Sequence, residues 1–348
     1  MEDILTKTKL PIFIWGSGEV GLLVYEKIMS YGVTPTGFVT DTSDVTMGGF
    51  CKEDVVSRYK DYMIVRGFLG SFYLPDEEIK RIWPGCSVVA TVSDIYEPRY
   101  VEAMGNEYYE QNRNRFEEVR KSFADELSIK SYDGFITSKI KKSNEAILPC
   151  VVPIQYFFEN SPWKYDEDDV LVDCGAFNGD SIADFIKLRG NKYKEVVAFE
   201  PDGSNYKVLM ERLEKEKIKN VETHNVGTYK EKAVLSFDIS SNMETRIDKN
   251  GVSKLEVNSI DNVCDKKRVS IIKMDIEGAE MDALEGAKKT IAQHKPILML
   301  SAYHKRDDLF HIWNYVNSLY NGYRWFFRCH KPIPIDAVLY AVPEGRIK

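Results

Sequence analysis

Two stretches of the chain share one hydropathy pattern: a short apolar run, a glycine turn, then apolar residues at helical spacing. The first runs Pro11-Ile-Phe-Ile-Trp15, Gly16-Ser-Gly18-Glu-Val-Gly21 and Leu22 to Met29. The second runs Val170-Leu-Val-Asp173, Cys174-Gly175-Ala-Phe-Asn-Gly179 and Ser181 to Leu188. A strand feeding a glycine turn and a helix is how α/β nucleotide-binding units begin, and two of them predict two doubly wound modules. Between them, Asp94 to about Lys142 is rich in Glu, Arg, Tyr and Asn. Phe116, Val119, Phe123 and Leu127 recur there at helical intervals, which predicts an amphipathic helix in a helical connector.

Beyond Val170, strand and helix alternate regularly. Val196–Phe199, Asn220–Asn225, Ala233–Asp238, Ser270–Met274 and Pro296–Ser301 read as strands. Gly203–Lys217 and Ala279–Gln293 read as helices, and Leu309, Ile312, Trp313 and Val316 stripe one face of a third. Tyr323–Cys329 and Ala337–Val342 read as a closing antiparallel pair. The predicted fold class is α/β: a C-terminal Rossmann-like sheet, mostly parallel with an antiparallel last strand, and a smaller N-terminal Rossmann-like domain. The expected boundaries are 1–93 for the N-terminal domain, 94–150 for the connector and 151–348 for the C-terminal domain.

Composition narrows the function classes. At 348 residues the chain is long enough for two domains. Its formal net charge of −7 argues against a nucleic-acid backbone binder. No apolar run reaches the roughly 20 residues of a membrane helix, and the nearest, Ala146 to Phe158, holds Pro149, Pro153 and Gln155. The N-terminal residues lack a basic region followed by an apolar one, so no signal peptide is expected. Six scattered cysteines without a C-x-x-C pair fit a reducing interior, and a cytoplasmic location is expected.

The second glycine turn carries the chemistry. It reads Asp173-x-Gly175-x-x-x-Gly179, and Glu200 ends the next strand, where a carboxylate accepts hydrogen bonds from both hydroxyls of a ribose. A pyrophosphate prefers a tighter turn. Asp173 and Asp180 bracket this one, and they suit the ammonium and sulfonium of S-adenosylmethionine. Residues 270–282 read Ser-Ile-Ile-Lys-Met-Asp-Ile-Glu-Gly-Ala-Glu-Met-Asp, followed by Leu284-Glu-Gly286-Ala and by Lys295-Pro-Ile-Leu-Met-Leu-Ser-Ala-Tyr303-His304. With Val172-Asp-Cys-Gly-Ala-Phe-Asn-Gly-Asp180 and Ala198-Phe-Glu-Pro-Asp202, this resembles the FkbM family of S-adenosylmethionine-dependent methyltransferases over roughly Gln155 to Val342.

The resemblance implies a class I methyltransferase sheet and O-methylation of a sugar or polyketide hydroxyl, so a small-molecule or carbohydrate acceptor is the expected partner. Carried onto this sequence, Asp173, Gly175, Ala176, Asn178 and Gly179 would line the methionine end, and Glu200 would hold the ribose with Pro201 and Asp202 beside it. Asn225 and Val226 would flank the adenine, and Asp275 would stand at the rim. For the proton released by the hydroxyl, His304 is the expected base at its ordinary pKa, with Asp275 and Glu277 as rivals. Alternatively, these carboxylates and His304 hold a divalent metal that acidifies the hydroxyl. Glu280 either joins this site or complements a helix dipole. Lys273, inside its strand, is expected as a structural ion-pair partner. The polar loop Ser240–Arg246 is a candidate acceptor contact.

The N-terminal Gly16-x-Gly18-x-x-Gly21, with Asp41 twenty residues on, matches a dinucleotide fingerprint. A structural or oligomerising role, giving a homodimer, stands beside a nucleotide-sugar site and an NAD site. The aromatic-rich Phe68 to Tyr73 is core, interface or a stacking surface. The rival functions are an NAD-dependent sugar-modifying oxidoreductase acting through this turn, and a non-catalytic nucleotide-sugar-binding scaffold.

Overall fold

The computed structural model describes residues 2–40, 49–68, 71, 74, 76–92, 102, 104–141, 145–190, 192–239, 245–247 and 253–348. The chain forms two compact units, Met1–Pro98 with Lys141–Leu148 and Arg99–Ile140 with Pro149–Lys348.

In the first unit the elements are α1 (Glu2–Lys7), β1 (Ile12–Trp15), α2 (Glu19–Ser30), β2 (Gly37–Thr40), β3 (Phe50–Cys51), α3 (Lys52–Arg58), β4 (Tyr62–Arg66), α4 (Asp76–Ile82) and β5 (Cys86–Ala90). The strands form a parallel sheet in the order β3-β2-β1-β4-β5, a Rossmann-like arrangement. Every residue of β1 and β4 is buried, as in a sheet covered on both faces. Two of the fingerprint glycines serve packing. A Cβ on Gly21 would lie 2.1 Å from the Gly16 carbonyl oxygen, and one on Gly16 would meet the Gly67 carbonyl at 2.9 Å. Gly18, before α2, faces open space. Phe68 packs edge-on against Trp15 at 4.9 Å. Asp41 and residues 69, 70, 72 and 73 lie outside the described residues.

The second unit begins with α5 (Asn106–Lys121) and α6 (Glu126–Lys141). Then come β6 (Val170–Cys174), α7 (Asp180–Arg189), β7 (Glu195–Phe199), α8 (Gly203–Lys215), β8 (Val221–His224), β9 (Gly227–Thr228), β10 (Ala233–Ile239), β11 (Thr245–Ile247) and β12 (Ser253–Asn258). The chain continues through α9 (Ile260–Val263), β13 (Ile271–Met274), α10 (Glu280–Glu285), α11 (Lys288–His294), β14 (Ile297–Ser301), α12 (Asp308–Leu319), β15 (Tyr323–Cys329) and β16 (Ala337–Pro343). Seven strands form one sheet in the order β15-β16-β14-β13-β6-β7-β8, parallel except that β16 runs against both of its neighbours. The buried strands β6, β13 and β14 are continuous apolar runs apart from Asp173, Lys273 and Ser301.

Three features differ from the sequence pattern. The helix expected over Ala279–Gln293 is broken at Gly286, which sits so close to another loop that a Cβ there would be 2.1 Å from the Tyr229 carbonyl oxygen. A second sheet, β11-β10-β12-β9, includes the unanticipated β12, paired antiparallel with β10. The helices expected in a connector pack into the second unit. The Ala124 amide donates to the Trp325 carbonyl at 2.9 Å, and the Arg328 guanidinium donates to Asp125 and to the Ser128 hydroxyl, both at 2.7 Å. Phe116 meets Phe310 edge-on at 5.2 Å.

Candidate active site

The carboxyl ends of β6, β7, β13 and β14 lie on one rim of the sheet, where the strand order switches direction between β6 and β13, the crevice in which open α/β sheets bind ligands. Backbone bonds fix the glycine turn there: the Gly175 and Ala176 amides both donate to the Phe199 carbonyl, at 3.0 and 2.9 Å. Gly175 has φ +76°, and a Cβ on it would fall 2.0 Å from the Asp275 carbonyl oxygen, so only glycine lets the two loops approach this closely. Phe177 also has positive φ, +46°, and its side chain is exposed at the rim. Gly179 leads into α7 in a left-handed conformation, with no side-chain cap.

Asp173 and Lys273 form a fully buried ion pair beneath this turn, at 3.0 Å. The Ser181 hydroxyl donates to Asp173 at 2.5 Å, and the Lys273 ammonium donates to the Gly175 carbonyl at 2.6 Å. Burial weighs against the ammonium, but the Asp173 and Asp275 carboxylates outweigh it and hold its pKa above the usual lysine value. Asp173 therefore braces the turn from below.

Glu200 is buried, and its two carboxylate oxygens accept from the Phe177 amide at 2.8 Å and the Asp202 amide at 2.9 Å. Burial pushes its pKa up against those two bonds. Pro201 follows, and the Asp202 carboxylate is engaged as the N-cap of α8, accepting from the Ser204 and Asn205 amides. The Asn225 amide nitrogen donates to the Glu200 and Pro201 carbonyls, tying the β7 and β8 loops together beside Val226. Asn178 accepts from the Asp180 amide at 3.1 Å.

The most charged cluster lies at the ends of β13 and β14. His304 is 1% exposed, with Nε2 3.3 Å from Glu277 Oε2 and 3.8 Å from Asp275 Oδ1. Its Nδ1 lies 3.1 Å from Glu280 Oε1, and Glu280 is itself fully buried. Glu280 also accepts from the Ile276 amide at 3.1 Å. Burial pulls the imidazole pKa down, but Glu280, Glu277 and Asp275 outweigh it and hold the ring well above its ordinary 6.5. The surrounding carboxylates thus favour the protonated ring, where the sequence suggested an ordinary histidine.

Tyr156 and Tyr303 complete the cluster, and neither stands out in the sequence. The Tyr156 hydroxyl donates to Asp275 Oδ2 at 2.9 Å and lies 3.0 Å from the Ser301 hydroxyl, while the Tyr303 hydroxyl donates to Asp275 Oδ1 at 3.3 Å. Buried Asp308 and half-buried Asp336, pushed up by desolvation to about 7 and about 6, face Glu280 and Asp275 respectively. Of the loop Ser240–Arg246, residues 240–244 lie outside the described residues, and Thr245 and Arg246 belong to β11.

Residues 173–325 match the family described as the methyltransferase FkbM domain. A crystal structure of the methyltransferase FkbM of Methylobacillus flagellatus KT is similar across 98% of this chain and 92% of that one, with TM-score 0.68 and 20% identity, which establishes a shared fold. Looser likenesses at about half this chain include an rRNA methylase of Streptococcus thermophilus (16% identity, 53% of this chain, 89% of that one, TM-score 0.34). Another is a precorrin-6y C5,15-methyltransferase of Geobacter metallireducens GS-15 (12% identity, 56% of this chain, 94% of that one, TM-score 0.35). No curated protein matches. Residues 173–325 thus match the methyltransferase FkbM domain, and they lie on a Rossmann-like sheet.

Proposed function

We propose that the domain methylates a hydroxyl of a sugar, nucleotide sugar or glycan, with S-adenosylmethionine held at the glycine turn. One observation carries the reading: Asp275, Glu277 and His304 converge at the strand ends where the turn closes on Asp275. When bound, such a donor supplies an electrophilic methyl carbon and departs as a neutral thioether. The residues present fit it. The Glu200 carboxylate accepts one backbone N–H on each oxygen and a further bond from the Asn205 side chain, which leaves acceptor capacity for a ribose hydroxyl. Gly175, Asn178 and Gly179 form the backbone cradle for the methionine end, with Asp180 exposed beside it, and Asn225 and Val226 flank the adenine.

As the new C–O bond forms and the S–C bond breaks, the acceptor hydroxyl loses its proton to the rim. Two phenol donors fix Asp275, whereas the Glu277 side chain is 40% exposed and reaches the open side. Those carboxylates receive the proton, with the His304 ring within ion-pair distance of both. Carboxylates also accept hydrogen bonds from neighbouring sugar hydroxyls, which favours a polyol over an apolar acceptor.

The test is transfer of isotopically labelled methyl from S-adenosylmethionine to a panel of nucleotide sugars and glycans, read by mass spectrometry. Glu200→Gln is expected to weaken donor binding by calorimetry about tenfold or more, as for hydrogen bonds to a charged group worth about 1.5–3 kcal/mol. Asp275→Asn and Glu277→Gln are expected to lower kcat with donor affinity kept. Methyl transfer to nitrogen or carbon, or donor binding with no hydroxyl acceptor methylated, would overturn the reading.

A further inference from the structure

The His304 cluster has a feature that proton transfer leaves unused. The imidazole is 1% exposed, yet neither ring nitrogen makes a hydrogen bond of acceptable geometry, and the same holds for Glu280 Oε2. Buried polar atoms are nearly always satisfied, so an unsatisfied Nε2 facing two carboxylates points to an occupant that satisfies it. Their arrangement fits a cation. Nε2 aims between Glu277 Oε2, at 3.3 Å, and Asp275 Oδ1, at 3.8 Å. Donors about 2.1 Å from a shared divalent ion stand roughly 3.0–3.4 Å from one another in octahedral or tetrahedral geometry, so the first separation already matches and the second needs a small closure. On the far side of the ring, Glu280 Oε1 lies 3.1 Å from Nδ1, where a carboxylate orients a ligating histidine. Donor atoms of Asp275, Glu280 and His304 all lie within 4.8 Å of one another, and Glu277 stands at the exposed edge of this group, in contact with it through Nε2.

We propose that Asp275, Glu277 and His304 Nε2 bind one divalent cation, with Glu280 as the carboxylate that orients the ring. One nitrogen and two carboxylates, with no thiolate, suit Mn2+ or Mg2+ better than a sulfur-bound metal. The exposed side of Glu277 leaves coordination positions open toward the acceptor, where the ion would polarise a hydroxyl and ease loss of its proton. This catalytic role rests on the methyl-transfer reading above, whereas cation binding itself does not. The competing occupant is the proton on the ring, which the ion displaces. Tyr156 and Tyr303, which donate to Asp275, keep that carboxylate turned to the site.

Full-length protein stripped with chelator is titrated with Mn2+, followed by loss of the free-ion paramagnetic resonance signal, and with Mg2+ in competition. One saturable site per chain is expected. Glu277→Gln and Glu280→Gln should each weaken it at least tenfold, and His304→Gln should remove it, with circular dichroism confirming that each variant is folded. Absence of a saturable site in the folded wild type overturns the proposal. So does a site that survives His304→Gln and Asp275→Asn, which would be adventitious surface binding. Donor affinity and methyl transfer are measured in parallel on the same samples. Methyl transfer that persists in chelator without Mn2+ binding removes the cation and leaves the transferase reading. A Mn2+ site lost in these variants supports the cation even where no acceptor is methylated.

Discussion

Replacing Lys273 by Met tests what braces the donor turn. The ammonium is 3.0 Å from Asp173 Oδ1, donates to the Gly175 carbonyl at 2.6 Å and stands 5.4 Å from the centre of the Tyr156 ring. Side-chain exposure is 5% for the lysine and 0% for the aspartate. Met has a similar length and an apolar stem, so packing is nearly conserved and the charge is what disappears. Asp173 is then a buried carboxylate with the Ser181 hydroxyl as its remaining donor. Breaking a buried pair from one side costs about 3–5 kcal/mol. A second route to the magnitude sets a ceiling, because Asp173 can escape by taking up a proton. From its ordinary pKa of 3.8, neutralisation at pH 7 costs about 4 kcal/mol at roughly 1.36 kcal/mol per pH unit. The two routes agree on about 3–4 kcal/mol.

Scanning calorimetry is the suitable assay, since two units need not unfold in one step. The transition of the second unit should fall by about 6–15 °C at roughly 2–4 °C per kcal/mol. The loss should shrink at lower pH, where protonating Asp173 costs less. Adding Asp173→Asn to Lys273→Met should restore most of the stability, because no uncompensated charge is left. A loss below about 1 kcal/mol, or a double variant no better than the single one, refutes the bracing role.

Gly175→Ala adds a Cβ 2.0 Å from the Asp275 carbonyl oxygen at φ +76°. Left-handed strain of about 1–2 kcal/mol and overpacking of about 1–3 kcal/mol should together destabilise the protein by about 2–5 kcal/mol and weaken donor binding; an unchanged Tm would contradict the close approach. His330 is buried between the Val152 carbonyl and the Tyr340 hydroxyl, both at 2.8 Å, and burial pulls its pKa from 6.5 down to about 4. The unfolded chain therefore takes up this proton as pH falls below 6.5 while the folded chain refuses it until about 4, so stability is full above 6.5 and is lost across that window. Relative to His330→Gln, the wild type should lose about 3 kcal/mol between pH 7 and 4 in urea titrations, and parallel curves would rule this out.

The sequence showed the site's frame more clearly than its occupants' duties. β6, β13 and β14 are apolar runs ending in Asp173, Lys273–Asp275 and Ser301–His304, so their ends could be placed on one rim from alternation alone. Asp275, Glu277 and Glu280 follow one strand closely enough to be grouped, and they do meet His304. Hydropathy carries no signal for Tyr156, which reaches Asp275 from 119 residues away, or for the close approach that breaks the helix at Gly286. Nor does it separate a carboxylate lining a cleft from one beneath it or capping a helix. Asp173 and Asp202 look alike in sequence, yet the first braces a buried lysine and the second caps α8.

Burying Asp173 against Lys273 makes chemical sense for methyl transfer. A sulfonium loses its positive charge as the reaction proceeds, so a bare carboxylate beside the sulfur stabilises the ground state more than the transition state and slows the chemistry. Pairing Asp173 with an ammonium removes that net charge from beneath the turn while keeping the turn rigid. On the proposed hydroxyl-methylation reading, negative charge belongs instead at Asp275 and Glu277, on the rim where the acceptor's proton would appear as the new bond forms. There a carboxylate gains interaction energy during the reaction, which is the condition for it to accelerate the step. By the same argument Lys273→Met, in the fraction of molecules that keep Asp173 ionised, should bind the cationic donor more tightly while turning over more slowly.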